Sequence, residues 1–391
     1  MGKRRAVRAG RLPRPLRGGG DDPVTANAMR LAALAKQPPK RSARPPHPDA
    51  PTVAYARQLE RIATESYRYA LPLIAELRRL QALADAARQD LDDQPPPDEP
   101  PEQARAAEQN RPHKPSEKGP AQLPLPFTVR REVEIMRRQL TIYRHNLPTE
   151  GIAAKAADQL EKWRIHVDQR ILSDLGLQPV KAGTELAAAR DAWVRDNAAL
   201  ISSQPAEVAA RIEATVAEMV PGGARWETIA AKLEQEHGIA TNRANLIARD
   251  QVSKYNADLN RIQQQAAGID FFQWRGAMDN RERPAHVALE GTVWRWSQPP
   301  IIGAPGEAIQ CRCVAVPCVS DQLISRAGEM TEADLLDRTA ALGPTQKQGE
   351  GATAAEVRER AAKEIANEIK LARRRQEVVG RPTPAQGQKA P

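Results

Sequence analysis

Cysteine is scarce in this chain, with three residues in 391. Three thiols cannot build a disulfide framework, so a reducing, intracellular setting is expected. Long apolar runs are missing too. No stretch of about 18 apolar residues occurs, which excludes a membrane-spanning helix from the expected elements and leaves no membrane partner to expect. The basic N-terminus is not followed by an apolar segment, which argues against a secretory signal. The familiar catalytic strings G-x-S-x-G, the Walker loop and H-E-x-x-H do not occur, and no repeat of fixed period is found. Aromatic residues make up only 4% of the chain, and acidic charge is in deficit, with 49 Asp and Glu against 58 Lys and Arg. The resulting charge of +9 favours an acidic partner, either a nucleic acid or an acidic protein surface.

Much of that excess lies at the start. Residues 1–45 hold twelve Lys and Arg against two Asp. Arg4, Arg5, Arg8 and Arg11 are the candidate phosphate contacts of this arm, and a merely solvated tail is the plainer alternative. Residues 1–50 alternate Arg, Gly and Pro and bury too little apolar area to offset backbone ordering, so a disordered basic arm is expected. A helical segment over 51–91 carries Leu59, Ile62, Leu73, Leu77, Leu80 and Leu83, with Pro72 ending or kinking its first helix. Residues 92–126 read as a proline-rich linker.

Residues 127–268 read as a helical domain. Val129, Val133, Met136, Leu140, Tyr143 and Leu147 recur at spacings of three and four and fall on one stripe. Further stripes carry Trp163, Trp193 and Trp226 as core anchors. One helix is expected to start after Pro205, another to stop at Gly238, and a long one to open at Thr241 or Asn242. Beyond residue 320 come a short helix and linker over 321–351, a C-terminal helix over 352–379 opened by a Thr353–Glu356 capping box, and a disordered tail over 380–391. The narrow stripe Val357, Ala361, Ile365 and Ile369 is expected to need a partner outside the chain.

The chain is organised around 269–320, where two of three Phe, three of six Trp and all three Cys fall. Frequent Gly and Pro break the helical pattern, and a small module of short strands is expected there. The fold class is therefore mainly α, a helical bundle or array carrying a compact α+β module, with disordered tails. Val293–Trp296 and Cys311–Cys318 are the strand candidates. On such a strand Cys311 and Cys313 face one side. With His286 they offer three zinc ligands, and Cys318 or Asp279 could supply a fourth. Two small buried thiols packing as hydrophobes are the alternative. The string Asp279, Arg281, Arg283, His286 is open to two readings as well. It could be a general base or metal-dependent nuclease site, or an ion-pair network in which Asp279 binds an Arg and His286 ties down the loop.

The pattern W-x4-D-x-R-x-R-x2-H-x4-G, carried by Trp274, Asp279, Arg281, Arg283, His286 and Gly291, resembles that of the phage Mu F-like minor head protein family. Pro305–Gly306, the C-R-C of Cys311, Arg312 and Cys313, the A-R-D-Q-V of Ala248–Val252 and the D-A-W-V-R-D-N of Asp191–Asn197 extend the resemblance over about 130–320. Glu290 stands where the family usually has Asp, and Gln310 where Asn or Pro often precedes the first Cys. The resemblance implies a low-copy head protein of a tailed phage or prophage. Such a protein is assembled in the host bacterial cytoplasm and acts at the portal vertex in procapsid assembly and DNA packaging. Portal and other capsid proteins are then the expected partners, double-stranded DNA a further one, and no catalysis is implied. A hydrolase using Asp279 and His286, and a non-enzymatic DNA-binding protein, are the alternatives.

Overall fold

The computed structural model describes residues 22–39, 44–92, 126–342 except 181, 221, 223, 280 and 329, and 353–379. Arg4, Arg5, Arg8 and Arg11, most of the proline-rich linker, the 343–351 linker and the 380–391 tail lie outside the described residues. Helices dominate. In chain order they are α1 (Pro23–Ala35), α2 (Asp49–Arg68), α3 (Leu71–Asp92), α4 (Phe127–Asn146), α5 (Thr149–Leu175), α6 (Gly183–Met219) and α7 (Trp226–Ala266).

Helices α6 and α7 run through two adjoining apolar cores. In one, Tyr55 and Leu59 of α2 meet Leu160 of α5, Trp193 of α6 and Tyr255 of α7. Trp193 stacks on Tyr255 with ring centroids 5.1 Å apart, and its indole nitrogen donates to the Gln251 carbonyl. In the other, Leu73 and Leu77 of α3 meet Met136 and Leu140 of α4, Ile212 of α6 and Leu233 of α7. Trp163 and Trp226 pack against these cores half-buried, as anchors.

This double seating corrects two expected boundaries. Pro205 lies inside α6 rather than at the start of a new helix, and α7 continues through Gly238 to Ala266. An internal Pro costs a helix about 3 kcal/mol and a Gly about 1. Buried side chains on both sides of each breaker outweigh that, Ile201 and Val208 around Pro205, Leu233 and Ala244 around Gly238.

The expected disorder over 1–50 also fails for Pro23–Ala35, which forms α1 with Pro23 in its first turn. This helix is held by tertiary contacts that local composition does not reveal. Asn27 exchanges two hydrogen bonds with the Gln178 backbone, at 2.9 and 2.7 Å, and Arg30 donates to the Leu175 carbonyl at 3.1 Å.

After α7 the chain forms a three-stranded antiparallel sheet in the order β2-β1-β3, with β1 (Phe271–Arg275) central, β2 (Val293–Arg295) and β3 (Val314–Cys318) outside. Phe272 lies opposite Trp294 on one side and Pro317 on the other. As an edge strand, β3 tolerates Pro317, which has no N–H to donate. Short helices α8 (Pro284–Ala288), α9 (Asp321–Ile324) and α10 (Glu332–Ala341) follow in chain order around the strands, and α11 (Ala354–Val379) comes last. The Thr353–Glu356 capping box forms as read. The expectation that α11 needs an outside partner is corrected. Ile365 and Ile369 are buried with Phe272, Trp274, Trp296 and Leu335 in the core of the sheet.

A ladder of amides on α7 seats this module. Asn260 and Gln264, one turn apart, both donate to the Ala315 carbonyl of β3, at 2.8 and 3.0 Å. Gln264 accepts from the Trp296 indole at 3.3 Å, and Arg164 of α5 donates to Asn256 and Asn260.

Candidate functional site

The singled-out residues converge on one knob above α7. Glycine 306 starts the close approach. Its φ is +90°, and a Cβ there would stand 2.6 Å from the Ala257 Cβ, so only glycine lets the 303–313 loop lie on α7. Gln310, also at positive φ (55°), donates its N–H to Asp250 of α7 at 2.9 Å. Asp250 is in turn paired with Lys254.

The expectation that Cys311–Cys318 forms one strand is corrected, because β3 begins at Val314. Cys311 ends a turn closed by its N–H on the Ala308 carbonyl at 3.0 Å, and Cys313 lies between that turn and β3. Both thiols are nevertheless buried and face His286, whose Nδ1 lies 3.5 Å from the Cys311 sulfur and 3.4 Å from that of Cys313. The ring is 2% exposed and meets the Trp274 indole edge-on at 5.3 Å. Cys318, by contrast, sits at the far end of β3 opposite Phe271, outside this group, with its thiol pushed up to about 11 by burial.

Electrostatics differ sharply between the two near thiols. The hydrogen bond from Cys313 and the His286 ring hold Cys311 well below the ordinary thiol value, against burial. Cys313 moves the opposite way, raised by Cys311, by burial and by Glu282. Burial opposes the charged form of His286, but Cys311 and the charge of Glu368 outweigh it and hold the ring above its ordinary value. Among the described residues, His286, Cys311 and Cys313 form the one group of His, Cys, Asp or Glu arranged to grip a metal ion, with ligand atoms all within 4.8 Å of one another.

The charged string splits by residue. Asp279 pairs with Arg312 and accepts the Arg281 N–H at 3.0 Å, and Arg312 holds its carboxyl well below the usual range. Arg283 donates to the Ile309 carbonyl at 2.7 Å and pairs with Glu368 of α11 at 3.1 Å. Arg281 is exposed and lies 3.6 Å from Asp279. Gly291 occupies the turn into β2 at φ +76°, its N–H donating to the Trp274 carbonyl at 2.9 Å. Glu290 pairs with Arg275 at 2.9 Å and accepts the Gly276 N–H, so the longer acid still ties the β1 end to the turn.

Residues 210–316 match the family model of the Phage Mu protein F like protein. The Mu F-like segment begins inside α6, takes in all of α7 and ends within β3. It is narrower than the resemblance read from motifs, and Asp191–Asn197 lies outside it. An uncharacterized protein of Haemophilus influenzae is 29% identical over 132 residues, which is 34% of this chain and 30% of that protein. This chain therefore spans under a third of that relative's length. No solved structure matches.

Sequence reading missed Glu282, Asn260 and Gln264, and reached Asp250 only as part of the A-R-D-Q-V string. The amides were visible as an i, i+4 polar row beside the apolar stripe of α7. Glu282 left no such signal, since a carboxylate among arginines reads as a solvated charge. Its partners are internal: Cys313 donates to it at 3.2 Å, and the Met278 N–H also donates to it.

Proposed function

We propose that this chain is a minor head protein of a tailed phage or prophage, acting in head morphogenesis by docking at the portal vertex during procapsid assembly. One observation carries the proposal. The segment matching the Mu F-like family takes in α7 and a knob whose motif residues are spent on holding its own loops. Such a knob is a rigid surface on a helical mount, suited to docking. A general base must reach a substrate proton. His286 is 2% exposed with one nitrogen on two sulfurs, and the Asp279 carboxylate is occupied by Arg312. That arrangement supports binding over hydrolysis. Contact with packaged DNA through Arg4, Arg5, Arg8 and Arg11 belongs to the same proposal and rests on charge alone.

The test is co-purification of the full chain with the portal protein of the same phage or prophage, in lysate treated with nuclease. Portal retained without DNA supports docking. Retention that disappears with the DNA favours a plain DNA-binding protein, and no retention overturns the proposal. Plasmid cleavage in added divalent metal that is lost in His286→Ala would restore the hydrolase reading.

A further inference from the structure

We infer that His286, Cys311, Cys313 and Glu282 form a structural zinc site that clamps the 276–286 loop to the C-R-C segment. The inference does not depend on the head-assembly reading.

The geometry comes first. Zinc bonds of about 2.0–2.1 Å to nitrogen and 2.3 Å to sulfur, at tetrahedral angles, put the two ligand atoms about 3.6 Å apart. His286 Nδ1 lies 3.5 Å and 3.4 Å from the two sulfurs, already close to that spacing. Glu282 is the nearest further donor: its Oε1 is 3.2 Å from the Cys313 sulfur, outside the three-residue group, and would complete the site by closing on the other two ligands. Apolar packing of two thiols would not require a ring nitrogen and a carboxylate aimed at them. Neither alternative fourth ligand is placed to serve. Cys318 lies at the other end of β3, and the Asp279 carboxylate is held by Arg312.

A second, independent observation concerns Gly276. A Cβ built there would stand 2.2 Å from Glu282 Oε1 and 2.8 Å from its Cδ. The glycine leaves the space that the carboxylate fills on its way to the sulfurs. The surroundings also suit a metal. Ligating histidines usually place their second ring nitrogen against a carboxylate. His286 Nε2 is buried without a partner, as are Glu364 Oε1 and Glu368 Oε2 of α11, and both of those acids act electrostatically on the ring.

The charges balance. Both cysteines bind as thiolates and release their protons to solvent. Two thiolates and one carboxylate around Zn2+ leave one negative charge, and Arg312 lies within electrostatic reach of Glu282 and Cys313. Sulfur and imidazole donors favour zinc over magnesium or calcium. Four protein ligands leave no open position, which makes the site structural rather than catalytic.

The test uses the full chain, purified without chelator and assayed for metal. About one zinc per chain is expected for a closed four-ligand site. Cobalt replacing it should give a thiolate-to-cobalt charge-transfer band, and chelation should lower the melting temperature. Cys313→Ser should lose both zinc and band. Because Cys313→Ser could fail to fold, Glu282→Gln and Gly276→Ala are the decisive variants. Both alter only the fourth ligand, and each should weaken zinc at least about tenfold in chelator competition. No zinc and no cobalt band in the folded parent chain overturns the site. Unchanged affinity in Glu282→Gln overturns the assignment of Glu282. Neither readout involves heads or portal, so failure here is distinct from failure of the proposed function.

Discussion

Asp279 shows how a single residue fixes the knob. Its carboxylate joins Arg312 to the Arg281 backbone and so bridges the two loops that carry the motif. It is about a third exposed, so the pair is partly screened. Asp279→Asn should cost no more than about 1 kcal/mol, read as a small drop in denaturant midpoint. Gly306 is less forgiving. Alanine there meets both a positive φ and the Ala257 methyl, so Gly306→Ala should cost more than about 1 kcal/mol by the same measurement. At this scale the sequence was informative where chemistry is unusual. Residues of the paired D-x-R-x-R-x2-H and C-R-C strings come together in the fold, with His286 against Cys311 and Cys313. Glu282 was invisible because an acid's role depends on which way its side chain turns, and composition does not encode that.

Helices were legible as stripes, but their ends were not. Stripe positions such as Leu140, Leu160 and Leu233 are buried, because a period of three to four residues reports which face meets a neighbour. Pro205 and Gly238 misled because a breaker's local cost is small beside the burial on either side of it. Gly238 offers a direct check. Nothing lies within 4 Å of a Cβ built there, and the residue is helical. Gly238→Ala should therefore stabilise the chain by about 0.5–1 kcal/mol, raising the denaturant midpoint. A loss of stability would mean that the glycine has a role other than helix continuity. The seating of α11 is tested by Ile365→Ala. Its side chain is 1% exposed in the core of the sheet, so the substitution should cost about 2–5 kcal/mol. A neutral result would return α11 to the role of a helix waiting for an outside partner.

Over the whole molecule, the long helix α7 carries the chain from paired apolar cores to a polar seat. Arg164, Asn256, Asn260 and Gln264 form that seat, and the strands rest on it. Buried polar contacts fix position more sharply than apolar packing does, because a shift leaves groups unpaired. A module intended to present one surface gains from such a seat. The basic arm adds a separable property. Residues 1–21 hold seven Lys and Arg, so deleting them should reduce the salt slope of duplex-DNA binding by up to about 0.9 for each phosphate contact removed. Equal slopes would remove the arm from any role in DNA contact. The most direct measurement is quantitative mass spectrometry of heads purified after co-expression of this chain with its neighbouring head genes. Head assembly predicts the chain in purified heads at a small fraction of the major capsid protein's abundance. Heads of normal yield and shape that lack it would contradict that role.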